Sequence, residues 1–154
     1  MSEFESFIQS ERARAVLREA IDNKDEEAHG DPSALTNGAA VFHYRCDPPS
    51  PWFSVSVMST ARSPEWRRRG VYYRPDGDRF IVSDLGDGLK ALRLRTGISM
   101  AQADAAIVEY GAFGAHFMGP EVGLRCDSAG LPDAICRTLL ASYRIANLGA
   151  KGGE

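Results

Sequence analysis

The stretch GVYYRPDGDRFIVSD, residues 70–84, decides the fold class of this chain. Two apolar runs, VYY and FIV, stand on either side of Asp76-Gly77. An Asp-Gly pair between two such runs is typical of a β-hairpin turn of type I′, because both central residues of that turn need positive φ. The stretch therefore predicts two antiparallel strands joined at Asp76-Gly77.

Two further strands are predicted upstream of this hairpin. Residues 39–46, AAVFHYRC, are rich in β-forming side chains, and residues 52–59, WFSVSVMS, alternate in polarity. Phe53, Val55 and Val57 fall on one face and the serines on the other, which is the pattern of a half-buried strand. Downstream, residues 112–128 predict a second hairpin that turns at Gly119-Pro120.

Four segments have the apolar spacing of helices, namely residues 2–23, 85–97, 99–111 and 131–149. The first begins with a capping box formed by Ser2 and Glu5. Asp84 is predicted to cap the second helix by accepting hydrogen bonds from its first free amides, and Gly97 is predicted to end it. Ser99 is the predicted N-cap of the third. The core stripe of the second helix is predicted to be Leu85, Leu89, Leu92 and Leu94.

The order of these elements is helix, two hairpin-like strand pairs, two helices, a hairpin and a final helix. Hairpins separated by helices predict a single α+β domain over residues 1–150, with a curved, mainly antiparallel sheet and about four packed helices. Within it, residues 1–23 are the predicted N-terminal helix and residues 24–38 a loop. Residues 151–154 are a predicted tail.

Composition narrows the class of protein. The chain has 154 residues, a net charge of −3 and three cysteines without a C-x-x-C pair. An odd number of unpaired cysteines favours reduced, buried thiols over a disulfide framework. The N-terminal residues lack the apolar core of a signal peptide, and no stretch approaches the ~18 apolar residues of a membrane span. We therefore expect a cytoplasmic protein with no membrane partner.

Three stretches together resemble a known family. They are VYYRPDGDRFIVSDLGDGLKALRLRTG, IVEYGAFGAHFMGPEVGLRCDS and LPDAICRTLLASYRIANL. Over residues 71–148 this pattern resembles the bacterial and phage family called domain of unknown function 1828. The resemblance implies the same α+β fold and a phage or mobile-element context. It implies no mechanism, since the family has none assigned.

Basic residues are concentrated in one segment. Residues 60–97 contain nine Arg and Lys against five Asp and Glu, a net charge of +4, and the rest of the chain carries −7. Arginines contact phosphates or carboxylates, and aromatic rings beside them are typical of binding hot spots. Alternatively, such arginines only guard a solvated strand edge. The predicted partner-binding residues are Trp66, Arg67, Arg68, Arg69, Tyr72, Tyr73, Arg74 and Arg79.

Other constellations predict no chemistry strongly. Asp84 and Asp87, with Asp76 and Asp78, have neither the glycine nor the glutamate of a calcium loop, and LGDGLK lacks the lysine-serine step of a phosphate loop. His43 and Cys46 lie three apart, so within a strand they point to opposite faces rather than toward one zinc ion. We therefore expect no catalytic residues, no metal and no cofactor.

These observations predict a non-enzymatic interaction protein of phage or mobile-element type. Its partner is expected to be a host or phage protein complex, and an inhibitor of a CRISPR-type host defence complex is one concrete form. Direct nucleic-acid binding through the same arginines and tyrosines is the alternative. A metal-dependent enzyme that uses Asp84 and Asp87 is a lesser alternative.

Overall fold

The fold is defined by a computed structural model that describes residues 3–23, 33–36, 39–46, 50–59, 69–99, 101–102, 105, 116–118 and 121–148. Within these ranges the elements are α1 (Glu3–Ile8), α2 (Glu11–Asn23), β1 (Ala34–Thr36), β2 (Ala39–Arg45), β3 (Phe53–Ser59), β4 (Arg69–Asp76), β5 (Arg79–Ser83), α3 (Asp87–Thr96), β6 (His116–Met118), β7 (Glu121–Cys126) and α4 (Leu131–Ala146).

All described strands join one sheet in the order β1-β2-β3-β4-β5-β7-β6. Every neighbouring pair is antiparallel. Sequential strands are neighbours except that β7 inserts between β5 and β6, which places the second hairpin against the first with β6 at the edge. The predicted α+β class with an antiparallel sheet is confirmed.

One face of the sheet, which we call the inner face, packs against the helices. Its register sets Val55 opposite Val71 and Tyr73 opposite Val82, and all four side chains are buried. Leu17 of α2 lies in the same core. The remaining large side chains of this core include Phe4, Ile8, Val41, Val57, Leu131, Ile135 and Leu139. Burial of this apolar area is the main stabilising term of the fold, at roughly 25 cal/mol per Å².

Strand β3 confirms the predicted alternation and corrects its consequence. Val55 and Val57 face the core, as the pattern predicts. Ser54 and Ser56 on the opposite face are buried as well. The prediction of a half-buried strand is therefore wrong, because β3 lies in the middle of the sheet between β2 and β4 and its small serines are shielded on both sides.

The predicted hairpin is confirmed, but its turn type is wrong. Asp76 pairs with Arg79, so the two central residues are Gly77 and Asp78 rather than Asp76 and Gly77. Gly77 has φ 66°, and Asp78 is not among the residues with positive φ. A positive φ at the first central residue alone is the pattern of a type II′ turn, for which glycine in that position is the usual choice.

The single N-terminal helix predicted over residues 2–23 is two helices, α1 and α2. The Ser10 hydroxyl donates to the Phe7 carbonyl at 2.6 Å and accepts from the Ala13 amide at 3.2 Å. Ser10 therefore closes α1 and caps α2, a role that serine fills because its short side chain competes for backbone groups. Glu5 forms an ion pair with Arg144 at 2.7 Å, and this contact holds α1 against α4. Its predicted capping partner, Ser2, lies outside the described residues.

Two other boundaries differ from prediction. The predicted loop of residues 24–38 contains β1, whose Leu35 pairs with Ala40 of β2. At the third predicted helix, the Ser99 amide donates to the Gln102 side chain and the Gln102 amide donates to the Ser99 hydroxyl. This reciprocal pair confirms Ser99 as an N-cap. Most of that helix and the Gly119-Pro120 turn lie outside the described residues.

The predicted stripe of helix α3 is only half correct. Leu89 and Leu92 are buried, in a cluster that also contains Ala141 of α4. Leu94 is 78% exposed and Leu85 is 37% exposed, so neither belongs to the core. Leu85 precedes the helix in a turn, which breaks the helical spacing on which the prediction depended. Gly97 ends the helix as predicted, with φ 72° and its amide bonded to the Arg93 carbonyl.

Gly88 sets how closely α3 approaches α4. A Cβ at this position would lie 2.8 Å from the Ser142 carbonyl oxygen and 3.0 Å from Asp84 Oδ2. The 2.8 Å distance is shorter than real Cβ contacts, so glycine allows the first turn of α3 to pack directly on α4. In the described part of the chain, no helix is long and apolar enough to cross a membrane.

Candidate binding surface

The sheet face opposite the helices, which we call the outer face, carries aromatic and arginine side chains side by side. Strand register places Tyr44 opposite Ser54, Ser54 opposite Tyr72, and Tyr72 opposite Ser83. Arg74 follows Tyr72 on the same face because side chains alternate along a strand. The outer-face residues of interest are Tyr44, Trp52, Tyr72, Arg74, Arg79 and Arg125.

Arg74 and Trp52 form the best-defined contact of this surface. The guanidinium carbon of Arg74 lies 5.3 Å from the centre of the Trp52 ring, which is a cation–π arrangement. Arg74 also donates to the Pro75 carbonyl at 3.4 Å. Both side chains are only partly buried. The stacked arginine is therefore held in one orientation while its charge remains accessible.

Arginines and a carboxylate continue the surface toward the hairpin turn. Arg79 is exposed and pairs across the hairpin with Asp76. Arg125 of β7 lies opposite Ile81 and approaches the Asp76 carboxylate to 3.7 Å. Both side chains of this ion pair are largely in solvent, so it adds little to stability. The turn end of the face thus has mixed charge with a cationic excess.

At the opposite end of this face, the charge of Asp87, at the start of α3, reaches Tyr72. Burial raises the pKa of the Tyr72 hydroxyl above its ordinary value of 10.0, and the charge of Asp87 raises it further. Burial also raises the pKa of Asp87, with a smaller contribution from Asp84 that Lys90 opposes. The Tyr72 hydroxyl therefore stays protonated near neutral pH and can donate a hydrogen bond to a partner.

The predicted partner-binding residues divide into three groups. Tyr72, Arg74 and Arg79 lie together on the outer face. Trp66, Arg67 and Arg68 lie outside the described residues.

Arg69 and Tyr73 point to the inner face. The Arg69 guanidinium lies over the Tyr143 ring of α4 at 5.1 Å, and it lines a cavity of about 220 Å³ between β4, α3 and α4. Tyr73 is 4% exposed, and its hydroxyl shares a 2.6 Å hydrogen bond with His43 Nε2. Tyr73 therefore lies apart from Tyr72 and Arg74, because adjacent residues of a strand point to opposite faces.

Tyr44, Trp52 and Arg125 were not among the predicted partner-binding residues. They lie in β2, directly before β3 and in β7, outside the basic segment of residues 60–97. Alternation within each strand could have indicated their side of the strand. Only the pairing of β7 with β5 shows that Arg125 shares a face with Arg79.

Asp84 is a structural centre rather than a reactive carboxylate. Its side chain is fully buried and accepts four hydrogen bonds. Oδ1 accepts from the amides of Gly86 at 2.9 Å and Val122 at 3.0 Å. Oδ2 accepts from the Gly88 amide at 3.0 Å and the Ser142 hydroxyl at 2.7 Å. The predicted capping role is confirmed, although the residue directly before the helix is Gly86.

These four bonds also bear on the alternatives for LGDGLK. A bound phosphate would need the amides at the start of α3, and those of Gly86 and Gly88 already donate to Asp84. A metal ion would need free carboxylate oxygens, and both oxygens of Asp84 are engaged. Across the described ranges, no group of three or more His, Cys, Asp and Glu side chains is placed to hold a metal ion.

His43 and the thiols belong to the interior. His43 stacks on Phe53 and Tyr73 with ring centres 5.7 Å apart in each pair, which fixes its ring within the core. Cys126 and Cys136 are buried free thiols, and Cys46 is partly buried. Burial raises the pKa of Cys126, and it raises the pKa of Cys136 to about 12. Thiols in such surroundings are poor nucleophiles near neutral pH.

Comparison with known proteins adds no relative. No protein-family model, no curated protein and no solved structure matches this chain. The resemblance to the family called domain of unknown function 1828 stays a prediction.

Proposed function

We propose that this protein is a non-enzymatic interaction protein that binds one protein partner through the outer face of its sheet. The observation that carries the proposal is the grouping of Tyr72, Arg74 and Arg79 with Trp52 and Arg125 on the face opposite the helices. Arginine, tryptophan and tyrosine are the residue types most enriched among binding hot spots. The sheet fixes the spacing of their backbone positions, and the contact with Trp52 orients Arg74 before a partner binds.

Charge favours an acidic protein surface over nucleic acid as the partner. The described surface is cationic at Arg74, Arg79 and Arg125, yet Asp76 stands between two of these arginines. The Asp87 carboxylate lies close enough to act on Tyr72 at the other end. A polyphosphate backbone would meet both carboxylates, whereas a protein surface can match mixed charge with a few paired contacts. The whole chain also carries a net charge of −3.

The class of partner is inferred from the sequence. A host or phage protein complex, in particular a defence complex of CRISPR type, is the expected partner. The non-enzymatic part of the proposal is supported by the saturated carboxylate of Asp84 and the raised thiol pKa values, which remove the strongest candidates for acid–base and nucleophilic chemistry.

Affinity capture from an extract of the native host tests the proposal. The double variant Arg74→Ala/Arg79→Ala removes two outer-face charges, and Arg137→Ala is the matched control, because Arg137 is an exposed arginine on α4 that pairs with Asp133 at 3.0 Å. A specific partner should be retained by the wild-type protein and by the control. Binding by the double variant should be weaker by about 2 kcal/mol or more, or about 30-fold.

Thermal melting of all three proteins checks that the variants are folded. A captured partner that the double variant retains at full affinity would disprove this surface. Electrophoretic mobility-shift titrations with DNA and RNA at low salt test the alternative. Nucleic-acid binding that weakens linearly with salt on logarithmic axes and is lost in the double variant would replace the protein partner with nucleic acid.

A further inference from the structure

A groove lies beside α3, and none of the residues that line it belongs to the outer-face set. It has a volume of about 560 Å³ and is lined by Leu85, Leu94 and Ile98 together with Lys90 and Arg93. Its volume falls within the roughly 300–1,000 Å³ of typical ligand pockets. Its lining residues begin at Leu85, before α3, and end at Ile98, after that helix of ten residues and about 15 Å. This shape suits a short peptide segment rather than a compact small molecule.

Exposed apolar side chains line this groove. Leu85 and Leu94 are the large hydrophobic residues recorded as exposed among the described residues, at 37% and 78%, and both line this groove. A single exposed leucine is ordinary, but here two line the same groove. Ile98 extends it beyond the end of α3.

Leu85 is held there in a backbone conformation that leucine disfavours. Leu85 has φ 53° and Gly86 has φ 85°, and the Asp87 amide donates to the Asp84 carbonyl at 3.1 Å. Two positive φ values and this bond define a type I′ turn, whose first central position normally takes asparagine, aspartate or glycine. The turn is stabilised by two side chains, since the Leu85 amide donates to the Ser83 hydroxyl and the Gly86 amide donates to the Asp84 carboxylate. A strained residue in an over-determined turn, with its side chain exposed, is a recurring feature of binding sites.

The charge of the groove selects its occupant. Lys90 and Arg93 are three residues apart and so lie on one side of α3. The Arg93 Nε donates to the Ile98 carbonyl at 3.4 Å, which holds its cationic group beside the groove. The residues that line the groove, within the described part of the chain, include no carboxylate. An apolar floor with a cationic rim complements a segment that has apolar anchors flanked by acidic side chains.

We propose that this groove docks an acidic, amphipathic peptide segment of a partner protein, with its apolar anchors against Leu85 and Leu94 and its carboxylates against Lys90 and Arg93. The groove is a second contact site, independent of the outer face. It would let the protein hold a partner at two points, or hold a different partner.

The test begins with a displayed library of random peptides about 16 residues long, selected on the wild-type protein and counter-selected on Leu94→Ser. Enriched peptides should carry leucine-like residues with Asp or Glu beside them. A labelled synthetic copy of the best peptide is then titrated by fluorescence anisotropy. A second peptide, in which lysine replaces each Asp and Glu, serves as the matched control.

Leu85→Asn is the decisive variant, because asparagine tolerates positive φ. It should melt at a higher temperature than the wild type and bind the peptide about tenfold more weakly or worse. Lys90→Gln/Arg93→Gln should weaken binding and flatten its salt dependence. Arg137→Gln, an exposed arginine outside the groove, should leave binding unchanged.

Three results would each overturn the proposal. The first is a selection whose peptides lack acidic residues, or that yields no peptide. The second is equal binding of the synthetic peptide by the wild type and Leu94→Ser. The third is binding to vesicles of about 30% anionic lipid that depends on Leu85 and Leu94 in the absence of peptide binding, since it would assign the groove to a lipid surface.

Discussion

Replacement of Asp84 by asparagine tests whether one buried carboxylate joins β5, α3, β7 and α4. In the native protein that carboxylate accepts hydrogen bonds from three backbone amides and one hydroxyl. Asparagine has nearly the same shape, so it creates no cavity. The change therefore isolates the loss of one acceptor oxygen and of the negative charge.

The expected cost follows from the four contacts. If the amide oxygen keeps the contacts of Oδ1 with Gly86 and Val122, the NH₂ group replaces Oδ2. The Ser142 hydroxyl can rotate and accept, but the Gly88 amide is left facing a donor. A buried unsatisfied donor costs about 1–3 kcal/mol, and charge-assisted bonds are about twice as strong as neutral ones. We expect a loss of about 3 kcal/mol, which lowers the Tm of a chain of this size by about 6–12 °C.

Urea denaturation at pH 7, followed by circular dichroism, measures this loss. Asp78→Asn is the matched control, since Asp78 is exposed in the turn between β4 and β5, and the free energy of unfolding of this variant should change by less than about 0.5 kcal/mol. A loss below about 1 kcal/mol in Asp84→Asn would refute the reasoning. Stabilisation of the wild type, but not the variant, by added Mg²⁺ or Ca²⁺ would restore the metal-site alternative.

Further predictions concern packing, ionisation and reactivity. Gly88→Ala should destabilise the protein by about 1–3 kcal/mol in the same urea assay, because its Cβ would overlap the Ser142 carbonyl; an unchanged midpoint would contradict the close approach of α3 and α4. The pKa of Asp87 is raised in the folded protein, so the protonated form of Asp87 stabilises the fold. This stabilisation is complete below the ordinary pKa of 3.8 and is lost as pH rises through the folded pKa. The Tm of Asp87→Asn minus the Tm of the wild type should therefore increase between pH 3 and pH 7. A difference that stays constant over this range would contradict the raised pKa. With its pKa raised to about 12, Cys136 should resist iodoacetamide at pH 8 until urea is added, as peptide mass spectrometry would show.

Local patterns in the sequence were sufficient to predict much of the fold. The two faces of β3, the presence of the hairpin and the stop at Gly97 depend on neighbouring residues, and these three match the structure, although the turn type of the hairpin does not. The failures arose where a distant contact changed a local preference. Leu94 was predicted to belong to the core stripe but is exposed, because it lies two residues after Leu92 and therefore on the other side of α3 from the side that packs against α4.

The candidate surface was predicted only in part for the same reason. Tyr72, Arg74 and Arg79 could be found because they lie in one hairpin with a basic composition. Tyr73 was placed with them because sequence proximity does not distinguish the two faces of a sheet. Arg125 was missed because its neighbour in space, Asp76, is 49 residues away in sequence.

The sequence by itself determined most of the element types, the hairpin at Gly77 and the capping roles of Asp84 and Ser99, since each depends on backbone groups within a few residues. The tertiary structure alone decided which faces are buried, how β7 pairs with β5, and that Leu85 and Leu94 share a groove with Lys90 and Arg93. Burial and strand order depend on apolar surface and hydrogen bonds contributed by distant segments. Only the folded chain brings those segments together.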